Sequence, residues 1–130
     1  MEDSIFAKII RGEIPCHKIY EDEKTFCLLD IHPVQPGHTL VIPKKQVEFL
    51  WDLDDETYQA VMDTAKKVAK RIKGVFDPKY VGAKVEGIGV PHAHVHLIPF
   101  STEEEFHKIA DLTAEPDHAS LSEIAKKLAF

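Results

Sequence analysis

His92-Ala93-His94-Val95-His96-Leu97-Ile98-Pro99 alternates imidazole and apolar side chains over its first six positions. That is the period of a half-buried β-strand, in which successive side chains leave on opposite faces. His92, His94 and His96 therefore share one face, while Ala93, Val95 and Leu97 share the other and face a core. Two chemistries compete for the imidazole face. Neutral imidazole ligates transition metals, and alternate histidines on a strand can hold zinc with a further ligand from elsewhere. Imidazole is also a nitrogen nucleophile, because a reference pKa of about 6.5 leaves it largely unprotonated at neutrality. The bland account is three surface histidines placed by chance, but three among five residues in a chain with 8 His argues against it. The pattern alone leaves metal site and nucleophile open.

Working outward, Gly87-Ile88-Gly89-Val90-Pro91 separates a strand expected over Tyr80 to Glu86 from one expected over His92 to Phe100. Gly87 and Gly89 suit a tight connection, since the rest of a dinucleotide fingerprint and the Lys-Ser/Thr of a P-loop are absent. From Asp54 to Lys73, Tyr58, Val61, Met62, Ala65, Val68, Ala69 and Ile72 follow the spacing of one helical face, with Met62 read as core. Asp54 to Glu56 suit the positive end of that helix, and Arg71, Lys73 and Gly74 its close. Thr39-Leu40-Val41-Ile42 follows the Pro36-Gly37 turn signal and stops at Pro43, giving a strand with His38 at its entrance. Lys18 to Glu21 and Thr25 to Asp30 form a hairpin around Asp22-Glu23. Apolar residues at 5, 6, 9 and 10 predict a short first helix closed by Gly12. Beyond Phe100, Ser101 with Glu104 and Ser120 with Glu123 have capping-box spacing. Leu121, Ile124, Ala125 and Leu128 then form an apolar stripe that docks on the domain or on a partner subunit.

These elements predict an α+β fold, an antiparallel sheet with a long helix across its apolar face, a short N-terminal helix and a C-terminal helical extension. With 130 residues, 44% of them hydrophobic, the chain suits a single domain over 1–130, with its core at about 4–100 and the extension at about 101–130. The net charge of −6, from 16 basic and 22 acidic residues, disfavours a broad nucleic-acid surface. Lys66, Lys67, Lys70, Arg71 and Lys73 read as a solvated helix face. No signal-peptide pattern opens the chain and no apolar stretch is long enough to span a bilayer, which predicts a soluble, cytoplasmic protein without a membrane partner. Cys16 and Cys27 form no Cys-x-x-Cys motif, and Cys27, within Phe26-Cys27-Leu28-Leu29, reads as buried packing outside any disulfide framework.

The His92-to-Pro99 stretch resembles the signature of the histidine triad superfamily. Ile5-Phe6-Ala7-Lys8-Ile9-Ile10-Arg11-Gly12-Glu13-Ile14-Pro15, Asp30-Ile31 and Pro36 through Lys45 agree with that family in order and spacing. Roughly residues 4 to 100 are covered, and the N-terminal half looks most like the Hint branch. The resemblance implies the histidine triad fold, a homodimer, and a hydrolase that attacks the α-phosphate of purine nucleoside phosphoramidates or related adenylyl conjugates. His94 would be the nucleophile, forming a transient nucleotidyl-histidine. His92, His96 and His38 would orient it, bind phosphate and handle the leaving-group proton. Asp30 matches the residue that binds the ribose hydroxyls, a task suited to a carboxylate because it accepts from both. Read without the family, Asp30 is a strand-end turn residue. Ile5, Phe6, Ile9, Leu28 and Ile31 match positions that enclose the base, and read equally well as core. His17, His32, His107 and His118 receive no role. No cofactor is implied, and no metal: where many bacterial members carry two zinc-binding cysteines, this chain has Ser4 and Ala7.

A departure from the family concerns the segment before the triad. Lys84-Val85-Glu86-Gly87-Ile88-Gly89-Val90-Pro91 is short, and lacks the Asn and Gly-Gln that usually contact phosphate and leaving group. Other groups must supply those contacts. Three alternatives stay open: a dinucleoside polyphosphate hydrolase, a nucleotide-binding scaffold with little catalytic activity, and a metal site on the imidazole row.

Overall fold

The structure, a computed structural model, describes residues 2–130, so that Met1 of the expected domain lies outside them. Helix α1 (Ile5–Ile10) follows the predicted spacing. Ser4 caps it by accepting the Ala7 N–H at 2.9 Å, and Gly12 at φ 81 follows it in a conformation that L side chains rarely adopt. Strands β1 (Lys18–Glu21) and β2 (Thr25–Leu29) pair around Asp22, whose Oδ1 accepts the N–H groups of Lys24 and Thr25 at 3.0 and 2.8 Å. With β3 (Thr39–Pro43), β4 (Tyr80–Lys84) and β5 (Val95–Phe100) they form a five-stranded sheet in the order β1-β2-β3-β5-β4. Every pairing is antiparallel.

Both faces of the sheet are covered. Cys27, Leu29, Val41, Ala93, Val95 and Leu97 meet Val61, Ala65, Val68 and Ile72 of α2 (Asp55–Phe76). Burying each such Val, Leu or Ile fully is worth about 1.5–3 kcal/mol. Residues one position along, Phe26, Leu28, Leu40 and Ile42, turn to the other face and pack on Phe6 and Ile9 of α1. Cys16 and Cys27 are both free, and burial pushes the Cys27 thiol up to about 12. Among the described residues no helix is long and apolar enough to cross a membrane.

Several boundaries differ from expectation. Helix α2 runs past Gly74 because Val75 and Phe76 still pack on the core. It stops at Asp77, in the left-handed region at φ 49, directly before Pro78. Strand β2 stops at Leu29 rather than Asp30, β4 at Lys84 rather than Glu86, and β5 begins at Val95 rather than His92. Helix α3 (Glu103–His107) is opened by a Thr102/Glu105 capping box, one residue on from the expected pair. Ser101 is engaged elsewhere, its hydroxyl accepting the Lys79 N–H at 3.1 Å. Helix α4 (His118–Leu128) is capped by Asp117, which accepts the Ser120 N–H at 3.1 Å, so Ser120 lies inside the helix. A carboxylate there also answers the positive end of the helix. Leu121 and Leu128 of α4 join the α2-side core, and Arg71 donates to the carbonyls of Leu128 and Ala129 at 3.2 and 3.0 Å.

Candidate active site

The late start of β5 follows from where β3 ends. Pro43 has no amide hydrogen, and the last backbone pair between these strands is Val41 with Val95. Upstream of it the Ala93 N–H turns to the Val47 carbonyl at 2.7 Å and the His92 N–H to Val90 at 2.8 Å. The His92 side chain takes over the ladder's role by donating from Nε2 to the Pro43 carbonyl at 2.7 Å. Alternation survives outside the strand proper, since Ala93, Val95 and Leu97 all reach the α2-side core.

Carbonyl and amide partners settle where the protons sit, because a carbonyl can only accept and an amide N–H can only donate. His92 carries its proton on Nε2, facing Pro43, so its Nδ1 accepts the Ser4 hydroxyl at 2.8 Å. Both nitrogens of this fully buried ring are thereby committed, and burial holds its pKa below the usual histidine value. The His92 carbonyl in turn accepts Nδ1–H of His94 at 2.7 Å. In the neutral ring this leaves a lone pair on His94 Nε2, which has no hydrogen-bond partner among the described residues. The side chain is only 4% exposed and lines an open cleft.

A second chain of hydrogen bonds runs through His38 and His96. The Val34 N–H donates to His38 Nδ1 at 3.0 Å, so His38 donates from Nε2 to His96 Nδ1 at 2.9 Å. His96 then presents an Nε2–H. Burial, helped by neighbouring His96 and Lys84, pushes His38 down to about 3. Burial, with His94 and Lys84 adding to it and Glu86 opposing, pushes His96 down to about 4. The rings stand in a row, His38 to His96 at 5.2 Å between centroids and His96 to His94 at 5.1 Å. Phe6 sets its ring edgewise against His92 and His94.

Asp30 closes the far end of the row. Its Oδ1 accepts the His32 N–H at 2.9 Å, while Oδ2 lies 3.6 Å from His38 Nε2. Burial raises its pKa, against the opposing effect of the His32 N–H. Atoms of Asp30, His38 and His96 all lie within 4.8 Å of one another, a spacing that could hold a metal ion. The donor set argues otherwise. A cation on His38 Nε2 would require that proton to move to Nδ1, where it would oppose the Val34 N–H.

The base-pocket candidates separate into two groups. Phe6, Ile9 and Leu28 are buried in the α1-side core, whereas Ile5 and Ile31 remain exposed beside it in sequence. Residues outside the expected set do much of the positioning. Gln46 accepts the Ser4 N–H at 3.1 Å and donates to the Glu2 and Pro91 carbonyls at 3.0 and 3.2 Å. Ser4 was legible as a polar residue before an apolar helical spacing; the carbonyls of Pro43 and His92 and the Val34 amide have no sequence signature. Glu48, Phe49, Trp51 and Glu86 line the cleft beside His94.

Residues 11–103 match the HIT domain family. Adenosine 5'-monophosphoramidase HNT1 of Saccharomyces cerevisiae is 35% identical over 125 residues, 95% of this chain and 79% of that protein. Adenylylsulfatase HINT3 of Arabidopsis thaliana is 33% identical over 102 residues, 75% of this chain and 52% of its own length. Among solved structures, a Hit-like protein from Bartonella henselae, described as involved in cell-cycle regulation and holding an unknown ligand, superposes with a TM-score of 0.82 at 37% identity. The match covers 97% of this chain and 94% of that one.

Proposed function

The chain belongs to the HIT domain family, and from that membership and the site's hydrogen-bond directions we propose that it hydrolyses purine nucleoside phosphoramidates or related adenylyl conjugates at the α-phosphate. The carrying observation is His94, held through Nδ1–H by the His92 carbonyl, with Nε2 free of any partner among the described residues and the residue itself lining a cleft. In this reading Nε2 attacks the α-phosphorus, a P–N bond to His94 forms, and the bond to the leaving amine breaks with its electron pair going to that amine. The departing amine takes a proton from solvent, while His96 stays neutral and donates a hydrogen bond from Nε2–H to a phosphoryl oxygen. Water then attacks phosphorus, frees His94, returns a proton to solvent and yields the nucleoside monophosphate. Asp30 Oδ2 accepts from the ribose hydroxyls, and Ile5 and Ile31 supply exposed apolar surface for the base. His38 and His92 act as positioning residues.

Two features support this assignment. A relative 35% identical over nearly the whole chain is named an adenosine 5'-monophosphoramidase. Both histidines of the row are held neutral by burial, which suits them to directed hydrogen bonding beside the phosphate. The reading treats the whole chain as one unit, because α4 contributes Leu121 and Leu128 to the core beneath the sheet. It also includes a homodimer, for which β4 offers an edge strand with one unpaired side and a half-exposed Tyr80; sedimentation at micromolar concentration tests it.

Side-by-side rates on an amine-linked adenosine phosphoramidate, adenylyl sulfate and a diadenosine polyphosphate test the assignment. The phosphoramidate is expected to turn over fastest. Fastest turnover of the polyphosphate would change the substrate class, and tight AMP binding without any turnover would replace the hydrolase with a binding protein.

A further inference from the structure

The imidazole row has two unlike ends. At one, Asp30 and His38 are packed into the loop between β2 and β3. At the other, His94 lines a cleft with Glu48, Phe49, Trp51 and Glu86 on its walls. His94 is 96% removed from solvent, its Nε2 has no hydrogen-bond partner among the described residues, and His94 is one of the residues that line the cleft. Phe49 and Trp51 are 47% and 71% exposed, large aromatic faces held in water at the mouth.

The charge of this cleft is unexpected for an enzyme of nucleotide conjugates. Among the described residues no lysine or arginine lines it, while two carboxylates do. Nearby lysines are engaged elsewhere: Lys44 pairs with Glu21 at 2.8 Å, Lys45 with Asp54 at 3.4 Å, and Lys84 donates to the Phe106 carbonyl at 2.9 Å. The cleft encloses about 50 Å³ and opens to solvent.

We propose that this cleft is the leaving-group subsite, and that it selects conjugates whose leaving amine carries a second, positively charged group. The inference rests on the hydrolase reading above. With the ribose at Asp30 and phosphorus at His94 Nε2, the group beyond phosphorus continues along the row, away from Asp30 and into the cleft. An ammonium placed there gains from both carboxylates and from the faces of Phe49 and Trp51. A sulfate or polyphosphate meets the same carboxylates as repulsion. Only the P–N bond reacts. Its electron pair returns to the amine nitrogen, which takes a proton from solvent, and the distant ammonium is recognised without changing.

Three phosphoramidates of adenosine 5'-monophosphate test this, all with the same P–NH–CH₂ linkage and ending in an ammonium, a methyl or a carboxylate. Monophosphate release by the full-length protein at low salt should give kcat/KM values in that order, each step about fivefold or more, in line with cation–π and carboxylate contacts at a half-exposed site. In about 0.5 M salt the spread should shrink, because exposed charges are screened. The Glu48→Gln/Glu86→Gln double variant should compress the ordering toward equality, and Trp51→Ala should reduce the ammonium preference alone. Equal rates, a fastest carboxylate, or a spread unaltered by both salt and the double variant would overturn the subsite. No turnover of any of the three would overturn the hydrolase reading, and the subsite with it.

Discussion

The same strands present two faces that are built by different rules. On one, the 22-residue α2 closes over Val41, Val95 and Leu97, and the requirement is volume and hydrophobicity. On the other, the six-residue α1 covers less, and beside it the imidazoles of His92, His94, His96 and His38 are arranged by the direction of hydrogen bonds. A methylene lost from the first face loosens the fold. A donor lost from the second leaves a buried nitrogen unsatisfied or turns a ring. The contrast separates stability from chemistry within one thin sheet, and single substitutions can test the separation.

The largest effect expected is on the imidazole face. His94→Ala should lower turnover of an adenosine phosphoramidate by about 10⁴-fold or more, as loss of a nucleophile does, while thermal unfolding and AMP affinity stay close to the parent. Undiminished turnover would break the comparison at its centre. On the opposite face, Ile72→Ala removes a fully buried side chain and should cost about 2–5 kcal/mol in urea unfolding, with kcat per folded molecule unchanged. A selective loss of kcat there would show that the two faces are not separable.

Ser4 stands between the two cases. Ser4→Ala removes both the α1 cap and the hydroxyl that satisfies His92 Nδ1. It should cost about 1–3 kcal/mol and lower kcat several-fold, because the His92 carbonyl that holds His94 shifts with its ring. Ser4→Thr should restore both. A stability loss with kcat intact would uncouple the cap from the nucleophile.

The smallest effect is a pH dependence. His38 and His96 titrate at about 3 and 4 in the folded chain, against about 6.5 when unfolded. Between those values the unfolded chain binds more protons, so stability is intact above about pH 6.5 and is lost as pH falls toward 4. His92 acts in the same direction, and Asp30, whose pKa is raised, opposes it at the acid end. Urea midpoints across that window should decline on acidification, and less steeply in His38→Gln. A flat profile would mean that the row is solvated.

Much of this architecture was legible in the residues. Alternation from His92 to Leu97 placed each side chain on its correct face even where no strand forms, because the extended backbone sets the period and the ladder does not. The stripe of α2 was equally clear, since Val61, Ala65, Val68 and Ile72 join one continuous core, but Met62, read as core, lies at the edge of the stripe and is exposed. Helix ends were less so. Where several acceptors lie close together, as with Ser101 and Thr102 or Asp117 and Ser120, tertiary partners choose among them. Gly74 did not stop α2 because Val75 and Phe76 still had a core to reach. The atoms that orient the site were hidden for a different reason: the Pro43 and His92 carbonyls and the Val34 amide are backbone groups that every sequence contains. The cleft was not read in advance, because Glu48, Phe49 and Trp51 fall in no motif or periodic pattern and their place beside His94 depends on Ala93 turning from β3 to Val47.

The most direct measurement is to quench the protein during turnover of an adenosine phosphoramidate and map the attached nucleotide by peptide mass spectrometry. Adenylate is expected on Nε2 of His94, and no adenylate in His94→Ala. Measurable cleavage with no adenylate on that ring, or with adenylate on another residue, would contradict it.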